Sequence, residues 1–131
     1  MRRRKRSFAE WIALGVGVVL IVIGLWAFTS PRSFFDSLAT WPPFNKHFIH
    51  DIGAFQIGLG TILLLAIART DALFVALAGA AVGATFHFLA HLFDRDLGGK
   101  STDPILFGIL AGLLIVAAYT RYRSPRGLDR R

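Results

Sequence analysis

The chain has 131 residues, of which 54% are hydrophobic, and its formal net charge is +7. The apolar residues lie in long uncharged runs, which is typical of membrane-spanning helices and argues against a water-soluble core. The basic residues flank these runs, so we expect contacts with anionic lipid headgroups and no nucleic-acid binding. Because the chain contains no cysteine, disulfides and thiolate metal sites are excluded.

The apolar runs predict an all-α polytopic membrane protein, in which four transmembrane helices form an antiparallel bundle and a short helix lies at the membrane interface. The first run is longer than the apolar part of a signal peptide, and no clear cleavage site follows it, so we expect a retained span. The chain is predicted to form a single membrane domain. The predicted spans are residues 11–29, 48–68, 72–93 and 105–120, with basic cytoplasmic tails at residues 1–7 and 121–131.

Local signals mark the starts of several helices. Ser30 and Pro31 fit an N-cap followed by proline at the first helical position, and they open the stretch SPRSFFDSLATW, which is predicted as the interfacial helix. Asn45 is predicted as the N-cap of the second span. Asp103 and Pro104 fit the first turn of the fourth span in the same way.

Small residues predict where helices approach each other closely. Gly17 and Gly24 lie seven residues apart in the first span and leave a thin face for another helix. The second and third spans, joined by the short turn at residues 69–71, are expected to be antiparallel neighbours. Small residues of the third span share a side with its histidines, which favours histidines that point into the bundle. These residues are Ala76, Ala80, Gly83 and Ala84. Two GxxxG pairs also predict close approach of a helix, and they are Gly79 with Gly83 in the third span and Gly108 with Gly112 in the fourth.

The basic residues predict the orientation of the chain. With four spans, both termini lie on one side of the membrane, and that side holds eleven of the fifteen lysines and arginines. The positive-inside rule therefore places both termini in the cytoplasm. The glycine faces can meet other spans of the chain, a second copy in a homo-oligomer, or a membrane protein partner.

All four histidines are expected at the outer end of the second and third spans, together with two aspartates. Antiparallel neighbours place the start of one span beside the end of the next, so we predict one His/Asp cluster. Histidines four residues apart on a helix present two nitrogens to the same point. An ionisable residue inside a membrane is also a functional-site hypothesis in its own right. The hypothetical metal ligands are His47, His50, Asp51, His87, His91 and Asp94.

Three interpretations of this cluster compete. His50, His87 and His91 can bind a transition metal such as zinc, copper, iron or manganese. Asp51 or Asp94 would be the fourth ligand or would support one. A b-type haem can instead be held between two histidines, one from each span. A hydrogen-bonded packing network needs no ligand, and we favour it because such networks are common in membrane bundles.

The remaining polar residues have simpler interpretations. Gln56 in the second span is predicted to hydrogen-bond to another helix. Asp36, Asp96 and Asp103 are predicted to be solvated loop residues and caps. No catalytic triad order or phosphate-binding loop stands out, so an enzyme is the less favoured class. The leading hypothesis is an accessory or subunit component of the inner membrane, and the alternative is a metal- or haem-binding protein in redox chemistry or transport.

The chain has a basic start, a proline-containing segment after the first span, the glycine-rich stretch DIGAFQIGLGTILL and an Ala/Gly-rich third span after a short turn. Over residues 8–122 this layout resembles the small bacterial four-helix inner-membrane proteins grouped as DoxX-like, a resemblance that implies the inner (cytoplasmic) membrane of a bacterium. It implies the four-helix membrane fold, and some proteins of this group are membrane subunits of quinone-linked oxidoreductases. The resemblance does not extend to HFIHD or HFLAHLFD, so it assigns no role to the histidines.

Overall fold

The fold is all-helical in the computed structural model, which describes residues 5–69 and 72–124. Within these residues there is no strand, and four of the five α-helices are long and apolar enough to cross a membrane. This confirms the predicted fold class. The helices are α1 (Phe8–Thr29), α2 (Pro31–Ser37), α3 (Lys46–Ile67), α4 (Ala72–Phe93) and α5 (Asp103–Arg123), and a 3₁₀ helix spans Arg95–Leu97.

N-cap residues mark the starts of α1, α2 and α3. Helix α1 starts earlier than predicted because Ser7 and Glu10 form a capping box ahead of the apolar run. Ser30 is the N-cap of α2, as predicted, and Pro31 opens the helix, but the Ser30 side chain makes no capping hydrogen bond. Asn45 caps α3, also as predicted, and its side-chain oxygen accepts a hydrogen bond of 3.1 Å from the Phe48 amide.

Helix α5 extends beyond the predicted fourth span at both ends. Its N-cap is Thr102, and it continues to Arg123, so the first residues of the predicted C-terminal tail are helical. The rest of that tail, together with residues 1–4 and 70–71, lies outside the described residues.

Helices α1 and α3 are in close contact through glycines. Gly17 faces Gly60 and Gly24 faces Gly53, as expected for antiparallel helices whose glycines are both seven residues apart. A Cβ atom added at Gly60 would lie 2.6 Å from the Gly17 carbonyl oxygen, and one at Gly53 would lie 2.7 Å from the Gly24 oxygen. The thin face predicted for the first span is therefore confirmed, and its partner is α3.

The bundle consists of two helix pairs, since α1 packs mainly against α3 and α4 packs mainly against α5. Helices α3 and α4 follow each other in the chain but touch less extensively, and an apolar groove of about 440 Å³ opens between them near their connecting turn. The second and third spans, α3 and α4, are therefore neighbours as predicted, but their contact is one of the weaker ones in the bundle.

Three of the four GxxxG glycines do not mark close contacts with described residues. A Cβ atom added at Gly79, Gly83 or Gly112 would meet no described atom within 4 Å. At Gly108 it would lie 3.3 Å from the ring of Phe88, a tight contact that this side chain would have to relieve. Gly79, Gly83 and Gly112 therefore leave room for lipid or for another protein on the outside of the bundle.

The core runs along the bundle and includes the alanines of α4. Leu63, Leu77 and Leu114 are its largest fully buried side chains. Ala76 and Ala80 belong to the same cluster. The predicted face of small residues on α4 is therefore divided, with these alanines inside and the glycines of its GxxxG pair outside.

The two ends of the bundle differ. We call the end where α1 begins and α5 ends the terminal end, and the end with α2, the 3₁₀ helix and their flanking loops the loop end. A second, smaller core at the loop end is built from Ala27, Phe34, Ala39 and Ile49. Large apolar side chains such as Phe55, which is 79% exposed, cover the outside of the bundle and face lipid in a bilayer.

Candidate functional site

The centre of the candidate site is a pair of histidines on α4. His87 and His91 lie one helical turn apart, and their Nε2 atoms are 3.1 Å apart, which is a hydrogen-bond distance. The two rings are also in contact, with centroids 4.8 Å apart. Imidazoles in this geometry share a proton between the facing nitrogens or direct two lone pairs at the same point.

Asp103, the first residue of α5, completes the group. Its Oδ2 atom lies 3.7 Å from His91 Nδ1, an ion-pair distance for a protonated imidazole, and accepts a hydrogen bond of 2.8 Å from the Lys100 amide. The side chains of His91 and Asp103 are only 9% and 14% exposed, so solvent screens their attraction weakly. In the neutral imidazole the carboxylate favours a proton on His91 Nδ1, which leaves His91 Nε2 to accept a hydrogen bond from His87. We call these three residues the His87–His91–Asp103 network.

Aromatic rings enclose one side of the network. Phe107 of α5 stacks on His91 with ring centroids 4.4 Å apart and contacts His87 edge to face at 4.2 Å. Trp41, from the loop after α2, lies 5.2 Å from His91. His87 stays exposed on its outer side, so the predicted inward orientation holds fully for His91 only.

Two glycines allow the loop after α4 to close over Trp41. Gly98 and Gly99 have φ angles of 133° and 82°, in the left-handed region that favours glycine. A Cβ atom added at Gly98 would lie 2.8 Å from Trp41 Cδ1, so the indole ring lies directly against the loop backbone. Lys100 Nζ then donates to the Ser37 carbonyl oxygen at 3.1 Å. The segments of the loop end are thus joined beside the network.

The second predicted group of polar residues lies on α3 and has other partners. His47 Nε2 is 3.6 Å from Asp51 Oδ2, and these side chains are 88% and 50% exposed. The His50 ring stacks on Phe28 of α1 with centroids 4.9 Å apart. Among the described residues, no hydrogen bond, ion pair or ring contact joins this group to the network on α4 and α5.

The structure therefore shows two separate polar groups where one cluster was expected. The reason is the pairing of the helices, because the start of α3 faces α1 while the end of α4 faces α5. In residues 5–69 and 72–124, no group of three or more His, Cys, Asp or Glu side chains has the arrangement of a metal site. The metal and haem hypotheses stay predictions.

Asp103, not Asp94, is the acidic partner of the histidine pair. Asp94 is exposed and precedes the 3₁₀ helix, because α4 ends at Phe93. Asp103 is nearly buried, in contrast to its predicted role as a solvated cap, because the loop folds back and brings the start of α5 beside His91. No helical spacing links His91 with Asp103, so the local sequence pattern carries no signal for their contact.

Among the described residues, one further polar side chain and one further polar oxygen atom are buried elsewhere in the bundle. Glu10 is 5% exposed, and its Oε2 accepts a hydrogen bond of 2.7 Å from the Ser7 amide. The predicted first span begins after Glu10 and so misses this residue. Ser7 and Glu10 have the spacing of a capping box, and this spacing is the sequence signal that could have identified them. Gln56 Oε1 is buried with no hydrogen-bond partner among the described residues, so the predicted interhelical hydrogen bond is not formed at this atom.

The fold and the site define a class: an all-helical, multi-pass membrane protein with a histidine–aspartate network at one end of its bundle. No protein family, curated protein or solved structure matches the chain. The function has to be inferred from the residues of the chain itself.

Proposed function

We propose that this protein is a small accessory or subunit component of the bacterial cytoplasmic membrane, with both termini in the cytoplasm and the His87–His91–Asp103 network at its outer end as the functional centre. The orientation is supported by the eleven of fifteen lysines and arginines in segments at the terminal end. Membership of the DoxX-like group is part of the proposal, supported by the four-span layout and the glycine-rich second span.

The observation that carries the proposal is the burial of an imidazole against a carboxylate, with His91 9% and Asp103 14% exposed. Ionisable side chains in a membrane bundle are costly unless they are paired, and they mark functional sites. The network also connects α4 with α5 and, through Trp41, with the loop after α2. In an accessory protein it holds the outer loops in the shape that a partner membrane protein recognises.

One distance favours metal binding as a second candidate function. Two histidine nitrogens, each about 2.0–2.1 Å from a tetrahedral zinc ion, are roughly 3.3 Å apart. The observed distance between His87 Nε2 and His91 Nε2 is 3.1 Å, close to that value. Asp103 would orient His91 through its other ring nitrogen, as carboxylates do for ligating histidines. Water or a partner would supply the remaining ligands.

A b-type haem has less support from the geometry. It requires one histidine from each of two helices on opposite sides of the porphyrin. His50, the candidate on α3, stacks on Phe28 of α1, while the histidines of α4 contact each other.

Metal analysis and a visible absorption spectrum of the detergent-purified protein test these functions. The wild type is compared with His87→Ala and with His47→Ala, a matched control that removes an exposed histidine of the other group. Metal binding predicts a stoichiometric metal in the wild type and in His47→Ala, and its loss from His87→Ala. The accessory role predicts no metal or haem, with a lower melting temperature for His87→Ala alone. If all three proteins contain no metal and melt at the same temperature, the network is neither a metal site nor a structural element of an accessory protein.

A further inference from the structure

A cavity at the terminal end of the bundle lies apart from the histidine network. Its volume of about 430 Å³ falls within the range of small-ligand sites. All four long helices contribute to its wall, through the starts of α1 and α4 and the ends of α3 and α5. Charged, hydroxyl and apolar side chains line it together, so the cavity offers more than a hydrophobic gap.

The charged side chains in the described part of the cavity wall carry an excess of one positive charge. Lys5, Arg121 and Glu10 are its charged residues among those the structure describes. Glu10 is held within the protein, since its Oε2 accepts a hydrogen bond of 2.7 Å from the Ser7 amide. The described part of the wall therefore favours an anionic ligand.

Two hydroxyl oxygens of the cavity are available as hydrogen-bond acceptors. Thr120 Oγ1 donates to the Ala117 carbonyl oxygen at 2.9 Å, and Ser124 Oγ donates to the Thr120 carbonyl oxygen at 2.8 Å. A hydroxyl group has one proton and two lone pairs, so both oxygens can still accept a hydrogen bond. The site is suited to a ligand with hydroxyl donors close to its negative charge.

The cavity lies where the helices reach the membrane surface. Lys5 precedes α1 and Ser124 follows α5, so this part of the wall adjoins the ends of membrane-spanning helices. Lipid phosphates lie at this depth, and basic pockets between transmembrane helices bind lipid headgroups. Phe8, Ile67 and Leu73 provide apolar wall where the lipid chains would begin.

We propose that this cavity binds the headgroup of an anionic phospholipid that carries one phosphodiester and free hydroxyls, as phosphatidylglycerol does. Lys5 and Arg121 contact the phosphodiester, which carries the single negative charge. The headgroup hydroxyls donate to Thr120 and Ser124. The proposal depends only on the terminal end of the bundle, so it is independent of the function proposed for the histidine network.

Native mass spectrometry of the detergent-purified full chain measures this binding, with phosphatidylglycerol compared with phosphatidylcholine. We expect one phosphatidylglycerol to bind on the order of 20-fold more tightly than phosphatidylcholine, which carries no net charge. The double variant Lys5→Gln/Arg121→Gln should bind it on the order of 20-fold more weakly, since each basic residue near an anionic headgroup contributes about fivefold. The double variant Lys46→Gln/Arg95→Gln removes the same charge at the loop end and should bind phosphatidylglycerol as the wild type does.

Two further variants separate binding from folding, with a circular dichroism melt of each as the check. Lys5→Gln changes one exposed residue ahead of α1 and should weaken binding about fivefold. Ser124→Trp fills the cavity without changing its charge and should abolish preferential binding.

Equal binding of the two lipids would overturn the proposal, as would an equal loss in the Lys46→Gln/Arg95→Gln control. Normal phosphatidylglycerol binding by folded Ser124→Trp would place the lipid elsewhere on the protein. Soluble glycerophosphoglycerol should compete poorly, because it lacks the acyl chains. If it competes as well as the lipid, the cavity is a site for a soluble phosphodiester and the lipid assignment is wrong.

Discussion

Asp103 is the residue whose charge orients the proton of the buried histidine. Its carboxylate lies 3.7 Å from His91 Nδ1 and accepts a hydrogen bond from the Lys100 amide. The substitution Asp103→Asn keeps the shape of the side chain and one oxygen acceptor but removes the negative charge. We expect a loss of about 1 kcal/mol in unfolding free energy. We also expect the His91 proton to shift from Nδ1 toward Nε2. Denaturant unfolding and ¹⁵N NMR of the imidazoles measure these effects.

Asp94→Asn is the matched control for that substitution. Asp94 is exposed and lies close to the pair in sequence, so its loss removes the same charge without touching the network. Both the unfolding free energy and the His91 tautomer should stay as in the wild type. Equal effects of the two substitutions, or an unchanged tautomer in Asp103→Asn, would contradict the arrangement of the network.

The histidines of the site could be predicted from the sequence, whereas their acidic partner could not. Spacing by four residues places His87 and His91 on one face of any helix, and this is a local property. The contact with Asp103 exists only because the intervening loop turns back at Gly98, and Trp41 arrives from a different part of the chain. Both depend on tertiary packing, which residue spacing does not encode.

At the scale of helices, the contact between α1 and α3 depends on glycines at two crossing points. The substitution Gly60→Ala would put a Cβ atom 2.6 Å from the Gly17 carbonyl oxygen, and Gly53→Ala would put one 2.7 Å from the Gly24 oxygen. Because these neighbours are backbone atoms, the helices would have to separate. We expect each substitution to lower the free energy of unfolding by about 1–3 kcal/mol. Unfolding with SDS from mixed micelles measures this change.

Gly58→Ala and Gly79→Ala are the matched controls on α3 and α4. At both positions an added Cβ atom would meet no described atom within 4 Å. They should be neutral or stabilising, because alanine is favoured over glycine in a helix by up to about 1 kcal/mol. Equal losses of stability at these positions and at the crossing glycines would refute the glycine-mediated contact.

The spacing of glycines on α1 predicted a close approach but not the identity of the partner. The signal that identifies the partner is the equal spacing of Gly53 and Gly60 on α3, which matches Gly17 and Gly24 on an antiparallel helix. The GxxxG motif of α4 shows the limit of such patterns. It permits a close approach, but which surface uses it depends on how all the helices pack.

At the scale of the whole molecule, the surface is that of a membrane protein. Phe55, Phe86 and Phe93 are 79%, 69% and 76% exposed, and only 22–28% of the most apolar window of each long helix is buried. Apolar surface of this extent is rare on soluble monomers, whereas lipid solvates it. The sequence predicted this level of organisation best because bilayer thickness fixes the length of each apolar run, independently of packing.

The topology of the whole chain yields a further prediction, for which the lack of cysteine is useful. A single introduced cysteine reports its own position, since the chain contains no other. Ser101 lies in the loop before α5 and Ser124 lies just after it, and both are exposed. Because most basic residues lie at the terminal end, that end should face the cytoplasm and the loop end should face outward. A membrane-impermeant maleimide should therefore label Ser101→Cys in intact cells. It should label Ser124→Cys only after lysis.

Ser37→Cys, an exposed position in α2, extends this test to the fold of the bundle. It should behave as Ser101→Cys does, because the Lys100 side chain bonds to the Ser37 carbonyl oxygen at 3.1 Å and holds both segments at the loop end. Labelling of Ser124→Cys alone in intact cells would reverse the proposed orientation and leave the bundle intact. Labelling of Ser37→Cys and Ser101→Cys from opposite sides would contradict the bundle itself, because an even number of spans must separate them.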